Sequence, residues 1–191
     1  MDINQENVNE MLKASNDRTK SFVASCINVF NSIRWKTVSF VIPMAPEPSH
    51  RPRLSGYRVY VPGAAKNQSF FNKHVLHTLN GLFITTPCKI KSDIYVQTPK
   101  SFSNGQKILA EMRILRPWGN VGDVDNFEKA IYDMMQPNEK RGHVGIMSND
   151  SLIIEAHTNK YYSVNPRYEI TISFMGKIPD KLKSVLRLKD R

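Results

Sequence analysis

The chain has 191 residues and a mass of 21.9 kDa, with 40% hydrophobic and 23% charged residues, the values of a folded domain rather than a disordered chain. A formal charge of +10 and a pI near 9.7 call for an anionic partner, and nucleic acid is the usual one. A membrane partner fits less well: no apolar run is long enough to span a bilayer, and the bases are not gathered on one amphipathic helix.

Residues 5–34 read as helix, polar for the first twenty, then with a stripe of Phe22, Cys26, Val29, Phe30 and Ile33. Nothing at the N-terminus resembles a signal peptide. The two cysteines, Cys26 and Cys88, suit a reducing cytoplasm as ordinary buried thiols. Residues 37–42 form a predicted strand, closed by a proline-rich stretch from Pro43 to Pro48 that is stiff and extended. A basic, tyrosine-bearing segment follows, with Arg51, Arg53 and Arg58 near Tyr57 and Tyr60. Guanidinium forks and aromatic faces of this kind suit a nucleic-acid backbone.

A second helix is predicted over 67–83, with Phe70, Phe71, Val75 and Leu79 inward. A strand follows over 89–97, with Ile90, Ser92, Ile94 and Val96 alternating. Residues 101–115 begin as a turn and become a short basic helix, and 116–122 form a turn-rich approach to the next element. From 48 to 116 there are eleven bases against two acids.

The charge balance then reverses. Residues 121–160 hold seven acids and four bases, an acidic island in a basic chain. Asp123 and Asp125 lie two apart and share one face if the backbone there is extended. Phe127, Ala130, Ile131, Met134 and Met135 form one helical stripe, and Asp125 with Glu128 makes an acidic capping box, so the helix is predicted to start just after Asp125. Lys129 falls one turn into it, and Asp150 arrives from a separate extended segment. Three acids and a lysine converging at a helix start would make a divalent-metal site for phosphate chemistry; a solvated loop and helix cap is the plainer alternative. Clustered like charges repel, and a cation relieves them. Beyond the helix, 137–145 reads as a mobile polar loop. Strands over 151–157 and 167–174 read as a hairpin or as neighbours in the main sheet, and 177–191 as a basic tail or short helix.

These residues carry a resemblance. Gly122-Asp123-Val124-Asp125-Asn126-Phe127-Glu128-Lys129 with Asp133 resembles the P-D-x-D-N-x-x-K-x-x-x-D signature of the RusA family of Holliday-junction resolvases. Asn149-Asp150-Ser151-Leu152-Ile153 is similar to its D-D-x-Q-I segment, and Lys160 stands where a downstream lysine is usual. Pro46 to Arg53, with Gly56 and Tyr60, is similar to its P-x-P-K-x-R-P-R segment. Together these blocks run from about 38 to 175 in the family's order. This chain departs from the pattern with Gly122 for proline, Asn149 for an acid, and Ser49 and His50 where lysine is common.

The resemblance implies an α+β fold, a mixed β-sheet flanked by helices, in an intertwined homodimer. It divides the chain into an N-terminal helical extension (1–36), the nuclease domain (37–176) and a basic C-terminal tail (177–191). It implies a magnesium-dependent crossover junction endodeoxyribonuclease, with manganese as a substitute, in a bacterial cytoplasm and of phage or prophage type. Asp123, Asp125 and Asp150 would hold the metal, and Lys129 would stabilise charge on the phosphate. Arg51, Arg53, Arg58 and Lys160 would contact four-way junction DNA, with Asn126, Asp133 and Asn149 in support. A general nuclease of branched or flapped DNA and a silent junction-binding protein are the alternatives.

Overall fold

A computed structural model describes residues 5–50, 53–55, 58–60, 62–119, 121–176 and 178–185. The chain divides into two compact units, residues 36–174 and, separately, 1–35 with 175–191.

In the second of these, the N-terminal segment is two helices, α1 (Gln5–Ala14) and α2 (Asp17–Ser32), where one was expected. The break follows from Asn16, whose side chain accepts from Thr19 N at 2.8 Å and caps α2. Only part of the expected stripe is covered. Cys26, Val29 and Ile33 pack on Met175, Ile178 and Leu182, while Phe22 and Phe30 are exposed. Ile178 and Leu182 belong to the segment expected as a basic tail or short helix, and Leu182 lies on a short helix (Asp180–Val185). That tail therefore contributes core.

The larger unit is built on a four-stranded sheet. Its strands are β1 (Trp35–Ile42), β4 (Cys88–Gln97), β5 (Ile153–Ser163) and β6 (Arg167–Met175), in the order β1-β6-β4-β5. Two short strands, β2 (Arg53–Ser55) and β3 (Arg58–Tyr60), pair separately as an antiparallel hairpin. β4 runs parallel to β5 and antiparallel to β6. The sheet is mixed and carries helices, so the fold is α+β.

The expected hairpin between the last two strands is absent, because β4 lies between them. The connection over 164–166 instead crosses an end of β4. Its three residues make four Cα steps and reach about 13 Å, enough to clear two strand spacings of roughly 4.8 Å each. β5 also begins later and runs further than expected, to Ser163.

Parallel strands require a crossover, and the one joining β4 to β5 contains α4 (Asn104–Glu111) and α5 (Val124–Met135). The capping box of α4 is reciprocal: Ser103 Oγ accepts from Gln106 N, and Gln106 Oε1 accepts from Ser103 N. The helix expected over 67–83 is α3 (Ala64–His74), followed by a 3-10 turn at Leu76–Leu79. It stops where Asn80 and Gly81 adopt positive φ, 48° and 72°.

α5 buries all five residues of its predicted stripe, each at 4% exposure or less. Each such side chain contributes roughly 1.5–3 kcal/mol in gross burial for the larger ones. Pro137 ends the helix, since Gln136 before it is held extended (ψ 146°).

The segment expected as a mobile polar loop, 137–145, is largely exposed but is anchored at His143. His143 is buried; its Nε2 donates to Met134 O (2.6 Å) and its Nδ1 meets the Asn72 amide (2.9 Å). Burial pushes this imidazole below its ordinary pKa, against the smaller upward pull of the Met134 carbonyl. The unfolded chain therefore takes up this proton first as pH falls, and stability drops below about pH 6.5, the unfolded value. The urea midpoint of the wild type is expected to fall between pH 7.5 and 5.5, and His143→Gln should remove part of that fall. Equal pH dependence in both proteins would exclude His143 as the source.

Candidate active site

The acidic motif is organised by the first turn of α5. The helix starts at Val124, with Asp123 as its extended N-cap residue, two positions earlier than the capping-box reading predicted. Asp123 makes no side-chain cap hydrogen bond, and Asp125 lies inside the first turn, at the positive end of the helix dipole. The two carboxylates thus do not share an extended face. Both are exposed.

Helical spacing groups the residues differently. Asp125, Lys129 and Asp133 follow one another at intervals of four and form one row, about 12 Å from end to end at 1.5 Å per residue. Glu128 and Tyr132 form the adjacent row.

Asp150 enters from a 3-10 turn, Asp150–Leu152, immediately before β5. Its charge acts on Tyr132 and Asp133, in the third turn of α5. Asp150, expected at the helix start, thus acts on the later turns of α5.

The electrostatics around this point are those of a crowded acidic edge. Burial holds the Asp133 carboxyl above its usual value; Lys129 lowers it, Asp150 raises it again, and Arg141 lowers it. Burial also pushes the Tyr132 phenol to about 12, with Glu128, Cys88 and Asp150 adding to the shift. Glu128 accepts from Thr158 Oγ1 of β5 at 2.5 Å. Glu128 and Tyr132 were not among the expected site residues; their four-residue spacing along the face with Asp125 was the available signal.

The supporting residues are held firmly. Ser49 N donates to Asn126 O (2.8 Å), fastening the proline-rich loop to the start of α5. Glu47, in the same loop, exchanges hydrogen bonds between its backbone and the Tyr168 hydroxyl (3.0 and 3.3 Å). Asn149 accepts from Ser151 N (2.8 Å) and caps the turn carrying Asp150. Asparagine thus keeps the capping role of an acid at this position without its charge. Gly122 adopts φ 96°, which proline cannot, and a Cβ there would meet Pro48 at 3.1 Å and Phe127 at 3.2 Å. The approach to Asp123 is therefore shaped by a left-handed glycine.

Lys160, expected on DNA, directs its Nζ onto the Gly122 carbonyl at 2.5 Å. Arg53 and Arg58 belong to β2 and β3, and Arg51 lies outside the described residues. Among the described residues, no three Asp, Glu, His or Cys side chains are grouped closely enough to hold a metal ion by themselves. Magnesium asks for less, being bound commonly by one or two carboxylates with waters and substrate phosphate. Exposed, all-oxygen donors at 123, 125 and 150 suit that mode.

Exposed carboxylates at the start of α5, with a lysine one turn in, suit chemistry on a phosphodiester. The family comparison agrees: residues 43–173 match the model of the endodeoxyribonuclease RusA, and the chain belongs to this family of Holliday-junction resolvases. It is also 29% identical over 143 residues to the uncharacterized protein YqaN of Bacillus subtilis (strain 168). That match covers 71% of this chain and 94% of the relative. Among the described residues, no helix is long and apolar enough to cross a membrane.

Proposed function

We propose that the protein is a magnesium-dependent endonuclease that, as an intertwined homodimer, resolves four-way DNA junctions by paired symmetric nicks. The observation carrying this reading is α5, which has Asp123 and Asp125 at its start and Lys129 one turn in, with Asp150 brought beside it. Asp123, Asp125 and Asp150 would hold the metal. When bound, magnesium polarises the scissile phosphate and acidifies a water, with manganese able to replace it.

The chain's own groups do the rest. Lys129 stabilises charge on the phosphate as it becomes five-coordinate. Asn126 orients a ligand from the first turn, while Asp133 and Asn149 support Lys129 and the Asp150 turn. Arg51, Arg53, Arg58 and Lys160 hold the DNA backbone; bidentate guanidinium–phosphate pairing makes arginine the apt residue. Breaking two bonds symmetrically across a junction requires two identical sites, and a two-fold dimer supplies them. In this reading 1–36 is an extension to the nuclease domain (37–176) and 177–191 its basic tail.

The test is cleavage of a mobile four-way junction, a flapped duplex and a matched linear duplex, in magnesium and in EDTA. The expected result is paired nicks in the junction alone, lost in EDTA. Equal cutting of flap and junction would make the protein a general branched-DNA nuclease. Tight binding with no cut in magnesium or manganese would make it a junction-binding protein.

A further inference from the structure

Residues 116–122 connect the region of α4 to α5, and both ends of this loop are tied to one residue. Arg116 Nη1 donates to the Lys160 carbonyl (3.1 Å), and Lys160 Nζ donates to the Gly122 carbonyl (2.5 Å). Between the ties Pro117 is buried and Gly119 takes φ 68°. Trp118 projects from this closed loop with 84% of its surface exposed, the most of any large apolar side chain among the described residues. Five residues on is Asp123, so the two Cα atoms are at most about 18 Å apart.

Next to the loop stands a guanidinium and phenol stack. Tyr161 and Tyr95 stack at 5.3 Å between ring centres, and the guanidinium carbons of Arg113 and Arg116 lie 4.6 and 4.3 Å from the Tyr161 ring centre. Arg167 lies 3.9 Å from the Tyr95 ring centre and pairs with Glu169 at 2.7 Å. Arg113 donates to the Tyr95 hydroxyl (3.0 Å). Neither Arg113 nor Arg116 forms an ion pair among the described residues, and both are exposed.

We propose that Trp118 is a stacking platform for an unpaired or splayed DNA base at the rim of the acidic site, with Arg113 and Arg116 gripping phosphates of the same strand. This deepens, and rests on, the reading of the protein as a DNA nuclease. An indole held in water by a closed loop is poised to stack, and aromatic faces beside fixed cations are what single strands bind to, whatever their sequence. The other occupant to weigh is a second copy docking on the exposed apolar residues of α4 and its end, Ile108, Met112 and Ile114. That contact would draw two guanidiniums without carboxylate partners toward a desolvated interface, an uncompensated cost that DNA phosphates remove. Lys160 fixes this loop next to the first acid with one ammonium donor on the Gly122 carbonyl and keeps its other donors for the DNA backbone.

The chain has two tryptophans, so Trp35→Phe leaves Trp118 as the indole reporter. This full-length variant would be titrated in EDTA with oligothymidylate, four-way junction and matched duplex, with binding followed independently by anisotropy of labelled DNA. Expected is at least two-fold quenching of Trp118 by single strand and junction, and little by duplex. In the otherwise wild-type chain, Trp118→Ala should weaken single-strand binding about ten-fold, with Trp118→Phe restoring most of it. Replacing Arg113 and Arg116 by alanine should weaken all three DNAs and lower the salt slope by about two. Saturated DNA with unmoved Trp118 emission overturns the inference, as does emission that changes with protein concentration alone, which assigns Trp118 to a second copy. Junction cleavage in magnesium, run alongside, separates the two readings. A cut junction with silent Trp118 removes only this inference; a quenched Trp118 with no cut removes only the nuclease reading; no DNA binding removes both.

Discussion

Asp125→Asn is expected to lower junction cleavage by on the order of 10³-fold while junction binding stays within about two-fold. The substitution keeps the shape and one oxygen of the side chain and removes its charge. Asp125 is exposed and makes no described hydrogen bond through its side chain, so the fold has little stake in it. A carboxylate that holds a catalytic cation supplies several kcal/mol of transition-state stabilisation, and about 4 kcal/mol corresponds to 10³-fold. Binding moves the other way if it moves, because an acid beside phosphate repels it and its neutral isostere does not.

Lys129→Ala should fall between the two extremes. It removes one group acting on the developing charge, a loss of roughly 10²-fold. It also strips Asp133 of the neighbour that holds its carboxyl down. Single-turnover cleavage and anisotropy on the same junction separate the two effects. Cleavage by Asp125→Asn within ten-fold of wild type would remove Asp125 from the metal site.

How much of this was legible in the chain depends on the range of the interaction involved. The burial of α5 could be read from spacing alone, because a 3.6-residue period is a local property and all five stripe residues obey it. Its start was misread: Asp125 and Glu128 fit a capping box, but the backbone turns helical at Val124 under the constraint of Gly122, wedged against Pro48 and Phe127. The position of β4 between β5 and β6 was hidden for a similar reason, since a short turn reports only that the chain reverses, not what lies between the strands. Loop 137–145 looked mobile from its polarity. Its buried anchor, His143, is held by the Asn72 amide, far away in sequence, and by the nearby carbonyl of Met134, and only the first of these lies beyond the reach of a local reading. The family pattern singles out position 160 but gives no partner for it; the tie of Lys160 to Gly122 is visible only in three dimensions.

The return from α5 to Asp150 also depends on a close approach, and it is the most vulnerable point of the larger unit. Gly145 has φ 66°, and a Cβ built there would lie 2.5 Å from Met135 O, 2.6 Å from Gln136 C and 2.7 Å from Pro137 N. All three are backbone atoms, so no side chain can rotate away. The same Met135 carbonyl accepts from Ile146 N (2.7 Å) and Met147 N (3.0 Å), which seat two fully buried side chains. Relieving the clash means lengthening those bonds and lifting Ile146 and Met147 from the core, so Gly145→Ala should cost on the order of 3–5 kcal/mol. In a unit of this size that is roughly 10 °C or more in Tm. Gly81→Ala is the control: its φ is similar, 72°, but no atom lies within 4 Å of the added Cβ. It should cost only the left-handed backbone term, about 1–2 kcal/mol. Thermal unfolding of the two variants by circular dichroism reads the difference. Equal losses would mean that strain in φ, and not the approach of 145 to the end of α5, governs this turn. A larger loss at 145 would tie the stability of the fold to the same segment that delivers Asp150.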